Sequence, residues 1–205
     1  MAHYFSNQEN VKSNPKQIAF RMKSATVKLM TDHGIFNKGY VDQGTTALLS
    51  ATNFEPHQKM LDLGCGSGVI GIYALLNDVK LVDFVDINER AVALSKENLK
   101  LNGLDAKVWE SDGFKNVDDV YDLITLNPPI RAGKKVYYPL FEEAKHHLTR
   151  DGEFVIVMHK KHGASSAIKK LESIFDVVTT IKRDKGFHVI VSKFNWLFDE
   201  SVVLY

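Results

Sequence analysis

The 205-residue sequence has one cysteine, Cys65, so it can form neither an internal disulfide nor a thiolate metal cluster, and a reducing cytoplasm is the compatible compartment. Proline (5) and glycine (13) are too sparse for a fibrous or low-complexity chain, and an apolar fraction of 44% is too high for a solvated coil. Apolar runs are short, and none approaches the roughly 18 residues of a membrane span. Residues 1–10 have neither the basic head nor the apolar core of an export signal, so the expectation is a chain that is neither exported nor anchored. No Ser-His-Asp arrangement and no pair of catalytic carboxylates stands out. His146-His147 and His159/His162 have no carboxylate to complete a ligand set, so no metal is expected.

What is present is enough apolar material for one core, arranged as an α/β chain. Strands are expected over 59–63, 80–86, 106–110, 122–126, 153–158, 177–182 and 187–192, and helices over 69–76, 89–102, 136–148 and 165–175. Asn88 and Asn102-Gly103 supply start and stop signals for the second of these helices. Only Arg183-Asp184-Lys185-Gly186 joins the last two strands, which suits an antiparallel hairpin and not a crossover. The expected fold is a seven-stranded sheet with an antiparallel final strand pair, unlike the six-stranded all-parallel sheet of dehydrogenases. Residues 17–22 and 26–30 read as two short strands, followed by a loop over 34–43 and a helix near 45–51. This N-terminal extension, 1–57, is too small for a core of its own. It is expected to dock on the sheet of a single domain, 1–205, whose core is 58–205.

The net charge of +1 conceals an asymmetry. Residues 1–57 hold six basic and four acidic side chains, 58–126 hold seven and 12, and 127–205 hold 13 and nine. Solvated faces account for such runs in the plain reading; the alternative is a cationic rim around an acidic ligand site.

Leu61-Asp62-Leu63-Gly64-Cys65-Gly66-Ser67-Gly68-Val69-Ile70-Gly71 ends a strand in a glycine-rich turn and opens a helix, so backbone amides can approach a ligand closely. Eighteen residues past Gly68, Val85-Asp86-Ile87-Asn88 ends the next strand with a carboxylate placed for a ribose diol. Gly66 to Gly71 also fits G-x-G-x-x-G, which keeps a nicotinamide-dependent dehydrogenase open. Asp62 argues against it, because a carboxylate there repels a pyrophosphate and suits an ammonium-bearing ligand such as the amino acid end of S-adenosylmethionine. After the third strand, Asp112 in Ser111-Asp112-Gly113-Phe114 can accept from an adenine amine, with Phe114 or Ile87 flanking the ring. Cys65 fits the loop by its small size, and no partner base marks it as a nucleophile.

The fourth strand runs into Asn127-Pro128-Pro129-Ile130-Arg131-Ala132-Gly133-Lys134, at the end of the sheet where ligands bind. The prolines fix the backbone, so the Asn127 side chain and the Pro128 carbonyl offer two acceptors in set directions. Two such acceptors hold both hydrogens of a planar amine and turn its nitrogen toward an incoming methyl group. A general base is not required, because the proton leaves after alkylation has lowered the pKa.

These segments together resemble the class I S-adenosylmethionine-dependent methyltransferases, specifically the small-domain ribosomal RNA guanine-N2 methyltransferases of the small subunit. Gly34-Ile35-Phe36-Asn37, Val41-Asp42-Gln43-Gly44-Thr45 and Lys160-Lys161-His162-Gly163-Ala164 carry the narrower likeness. The resemblance implies a Rossmann-like methyltransferase sheet in single-domain form. It implies S-adenosyl-L-methionine as cofactor, held by Asp42, Gly44, Thr45, Asp62, Gly64, Gly66, Gly68, Asp86, Ile87, Asp112, Gly113 and Asn127. Asn127, Pro128 and Pro129 would form the catalytic segment. Ribosomal RNA or a ribosomal subunit would be the partner, contacted by Phe36, Ile130, Arg131, Lys134, Lys160 and Lys161. Two departures stand out. Ile130 replaces the aromatic residue that stacks on the flipped base in many relatives, leaving Phe36 or Tyr40 for that role. The chain is expected to lack the duplicated N-terminal domain of some relatives, which would shift RNA contacts to the basic flanks. Adenine N6, a protein glutamine amide and a non-catalytic RNA-binding assembly factor remain alternatives.

Overall fold

The computed structural model describes residues 15–23, 25–31 and 40–195. Strands β1 (Lys16–Met22) and β2 (Ala25–Thr31) form an antiparallel hairpin, and α1 (Gln43–Ala51) follows. The core then runs β3 (Lys59–Leu63), α2 (Val69–Leu76), β4 (Leu81–Asp86), α3 (Glu89–Leu101), β5 (Lys107–Glu110), β6 (Tyr121–Leu126), α4 (Lys134–Ala144), β7 (Leu148–His159), α5 (Ala164–Glu172), β8 (Val177–Asp184) and β9 (Phe187–Lys193).

The seven strands lie in the order β5-β4-β3-β6-β7-β9-β8, and β9 runs against both of its neighbours. This is the doubly wound sheet with an antiparallel end that the short 183–186 connection predicts. One face packs on α1, α2 and α3 through Leu48, Ile72, Tyr73 and Leu99; the other packs on α4 and α5 through Tyr137, Phe141 and Leu171.

Helix α2 is apolar almost all round, with Val69 to Ala74 buried, so its outer side also needs a cover. The hairpin provides it, with Val27 and Leu29 of β2 fully buried. Within the extension the hairpin thus docks on helices α2 and α3, while α1 packs directly on the sheet against β7, β8 and β9. Gly71 lets α2 approach β4 closely: a Cβ there would lie 2.3 Å from the Phe84 ring.

Helix α4, the third of the core, is shorter than its sequence pattern predicts. It ends at Ala144, a 3-10 turn spans Lys145–His147, and Leu148 begins β7 by pairing with Tyr121. His147 anchors this change. Its ring stacks on Phe114 with centroids 4.5 Å apart, and its Nδ1 lies 3.1 Å from the Asp119 carbonyl. Gln43 opens α1 instead of closing the preceding loop, with Asp42 as the cap.

Candidate functional site

Strands β3 and β6 are adjacent, with Leu63 in register with Leu126. Gly64 and Asn127 are the next residues along each, so the glycine loop and the Asn-Pro-Pro segment leave the sheet side by side, about 5 Å apart. At the β4–β5 edge, Ser111 N donates to the Asp86 carbonyl at 3.0 Å, which brings Asp112 and Gly113 beside the end of β4.

Gly64, Gly66 and Gly68 have φ of 68°, 59° and 78°, in the left-handed region that side chains disfavour. Gly64 is exposed, and a Cβ on it would meet nothing nearer than Leu126 at 3.8 Å, so the loop is open on its outer side. Asp86 braces the loop from within. Its Oδ2 accepts from Gly66 N and its Oδ1 from Asn88 N, both at 2.9 Å. The loop carbonyls are held from α3: Ser95 Oγ donates to Gly66 O at 3.0 Å and Asn98 Nδ2 to Ser67 O at 2.9 Å. Cys65 is buried with its Sγ 3.4 Å from Ser95 Oγ, and burial together with the Asp86 charge pushes its thiol well up, away from a reactive thiolate.

Asp62 is completely buried. Its Oδ2 accepts from Gly71 N at 3.0 Å. Burial raises this carboxyl from 3.8 to about 7, with the Asp86 charge adding to the rise and the Gly71 amide opposing it. A buried carboxyl beside an open glycine turn, held by the Gly71 amide and faced by the Thr125 hydroxyl of β6, fits a ligand that brings a cationic group.

Asn127 reaches in the other direction. Its Nδ2 donates to Thr45 Oγ1 at 3.1 Å, and that hydroxyl donates to Asp42 Oδ2 at 2.5 Å. Asp42, Thr45 and Asn127, 82 residues apart in sequence between the last two, thus meet in one chain of hydrogen bonds. Gly44 lies in the same turn, and a Cβ on it would come within 2.9 Å of Asp42 Oδ1 and 3.0 Å of the Phe187 ring. The Pro128 carbonyl accepts from Ile130 N at 2.8 Å, which leaves one lone pair for a further donor.

Ile87 and Ile130 are half-buried, and Asp112, Arg131, Lys134, Lys160 and Lys161 are exposed. Phe114 is 6% exposed, and its ring stacks on His147. Phe36 and the rest of the 34–37 stretch lie outside the described residues. The turn holding Lys160 is tied to the β8–β9 connection by a bond from Lys160 N to Gly186 O at 2.8 Å. Positive charge gathers there, and the His188 imidazole is held below its usual value by burial and by Arg183, Lys160 and His159. Among the described residues, no group of three or more His, Cys, Asp or Glu side chains could hold a metal ion, and no helix is long and apolar enough to cross a membrane.

Ser95 and Asn98, which hold the loop, are not among the site residues expected from the sequence. Both are polar residues on the buried face of α3, and that break in an otherwise amphipathic pattern is the signal that marks them.

Residues 26–191 match the family described as methyltransferase small domain. The chain belongs to that family. Within it, the chain is 43% identical over 198 residues to the uncharacterized protein YbxB of Bacillus subtilis (strain 168), covering 93% of this chain and 98% of that one. It is 31% identical over 183 residues to ribosomal RNA small subunit methyltransferase C of Aliivibrio salmonicida (strain LFI1238), covering 85% of this chain but only 52% of the relative. The chain thus spans nearly all of the first relative and about half of the second. In structure it is similar to the T. thermophilus 16S rRNA guanine-N2 methyltransferase solved with AdoMet and guanosine, with a TM-score of 0.78 at 24% identity, over 88% of this chain and 51% of that one. That likeness establishes the Rossmann-like class I methyltransferase fold for this methyltransferase small-domain chain.

Proposed function

We propose that the chain is an S-adenosylmethionine-dependent N-methyltransferase acting on an exocyclic base amine of ribosomal RNA, with guanine N2 of small-subunit rRNA as the target. The observation that carries this reading is the register of Leu63 with Leu126, because it brings the glycine loop and Asn127 out of the sheet as neighbours. The names of the rRNA methyltransferase relatives support the RNA substrate. S-adenosylmethionine supplies a methyl group already activated on a sulfonium. Gly64, Gly66 and Gly68 admit its amino acid end, Asp62 offers its carboxylate to its ammonium group, and Asp86 and Asp112 line the edge for its nucleoside. Asn127 Oδ1 and the remaining lone pair of the Pro128 carbonyl accept the two amine hydrogens, which fixes the nitrogen for transfer. Arg131, Lys134, Lys160 and Lys161 take the phosphate backbone, and the target base turns out of its stack to reach Asn127. An rRNA substrate makes the cytoplasm the place of action.

The test is transfer of a labelled methyl group from S-adenosylmethionine to protein-free rRNA, assembled small subunits, DNA and a protein extract, with the wild type and Asn127→Ala. Label in rRNA, carried on guanine N2 and lost in Asn127→Ala while the melting temperature holds, is the expected result. Label confined to a protein band refutes the RNA assignment, and label on adenine refutes the base.

A further inference from the structure

We infer that Asp42 and Thr45 are positioning residues that decide which end of the Asn127 side-chain amide faces the substrate. This deepens the reading in which Asn127 holds the target amine, and it rests on that reading. A carboxylate only accepts hydrogen bonds, so the 2.5 Å contact from Thr45 Oγ1 to Asp42 Oδ2 commits the single hydroxyl proton of Thr45 to Asp42. What Thr45 Oγ1 then presents to Asn127, 3.1 Å away, is a lone pair. Only the NH2 end of the amide satisfies a lone pair; the oxygen end would face another acceptor. Asn127 Oδ1 is thereby turned away from Thr45 and left as an acceptor.

The chain has little freedom to reverse. Thr45 is 2% exposed, so solvent does not offer its hydroxyl another partner. Asp42 is fixed as the cap of α1: its Oδ1 accepts from Thr45 N at 3.0 Å, and its own carbonyl accepts from both Thr46 N and Thr46 Oγ1 at 3.0 Å. Gly44 leaves the space into which the Asp42 carboxylate folds, since a Cβ there would lie 2.9 Å from Oδ1. The Asp-x-Gly-Thr segment therefore acts on Asn127, where the sequence resemblance assigns it to the cofactor.

Three variants separate these roles: Thr45→Val, which keeps the shape and removes the hydroxyl; Thr45→Ser, which keeps the hydroxyl; and Asn127→Ala. With labelled S-adenosylmethionine and protein-free rRNA, Thr45→Val lowers kcat by about tenfold while the KM for S-adenosylmethionine stays unchanged, and Thr45→Ser restores the rate. A raised KM with an unchanged kcat would show Thr45 serving the cofactor and would overturn the inference. A second readout needs no turnover. In 15N-asparagine-labelled protein, the side-chain NH2 signal of Asn127, identified by its loss in Asn127→Ala, is expected to shift toward the position of a free amide in Thr45→Val and to stay in place in Thr45→Ser. An unmoved signal in Thr45→Val overturns the inference. Full turnover by Asn127→Ala instead defeats the amine-holding reading, while the amide signal still reports whether Thr45 orients Asn127.

Discussion

Asn98 Nδ2 donates to the Ser67 carbonyl at 2.9 Å and joins the last turn of α3 to the glycine loop. The same side chain pairs with the backbone of β2, donating to Met30 O at 3.0 Å and accepting from Met30 N at 2.6 Å. One turn on, Asn102 makes the same pair of bonds with Lys28, at 2.7 and 2.9 Å. Four residues of helix rise about 6 Å and two residues of strand about 6.8 Å, so side chains at i and i+4 match alternate residues of an edge strand. A single asparagine therefore holds both the hairpin and the ligand loop to one helix.

Asn98→Ala removes three hydrogen bonds at a fully buried position and leaves their backbone partners unsatisfied. The expected loss is about 2–4 kcal/mol in urea unfolding. Asn102→Ala, in a more exposed setting, is expected to cost about 1 kcal/mol.

Gly71→Ala places a methyl group 2.3 Å from the Phe84 ring and forces α2 away from β4. A destabilisation of about 2–3 kcal/mol is expected from thermal or urea unfolding, with part of it recovered when Phe84→Leu is added. The double variant thus separates overpacking from any effect on ligand binding.

The Asp62 carboxyl stands at about 7 in the folded chain against 3.8 when unfolded. Between those values the folded chain binds the extra proton, so the stability of the ligand-free protein falls as pH rises from about 4 to about 7 and is level above that. The change over this window is on the order of 4 kcal/mol. Asp62→Asn keeps an acceptor for the Gly71 amide, removes the slope and raises the melting temperature at alkaline pH. A cationic ligand favours the carboxylate, so S-adenosylmethionine binding near about pH 6 should release a proton, read as a binding heat that varies with the buffer. A buffer-independent heat would count against Asp62 as the partner of the ammonium group.

Replacing Lys160 and Lys161 together by alanine is expected to weaken rRNA binding and to lower the slope of log affinity against log salt by about 1 for each phosphate that is no longer neutralised. Fluorescence anisotropy across a salt series reads both quantities. An unaltered slope would mark these side chains as merely solvated.

Much of the fold is legible in the sequence because the core strands are short apolar runs bounded by strong punctuation. Strand β3 and helix α2 fall on the residues expected, since Gly64 to Gly68 separates them unmistakably. The end of α4 is not legible, because the ring stack of His147 on Phe114 and the return of β7 to Tyr121 are long-range contacts that override local helical pattern. The site shows the same division. The glycines, Asp86 and Asn127 announce themselves through spacing at strand ends, whereas the bond from Asn127 to Thr45 depends on α1 packing against the far half of the sheet.

Cys65 is the one thiol in the chain, and it lies within the glycine loop at 6% exposure, facing Ser95. A maleimide can reach it only when the loop lifts from α3. The protein thus carries a built-in clock for the opening of its ligand cradle: the labelling rate of the native chain measures how often the cradle breathes, and occupancy slows the clock without any engineered reporter.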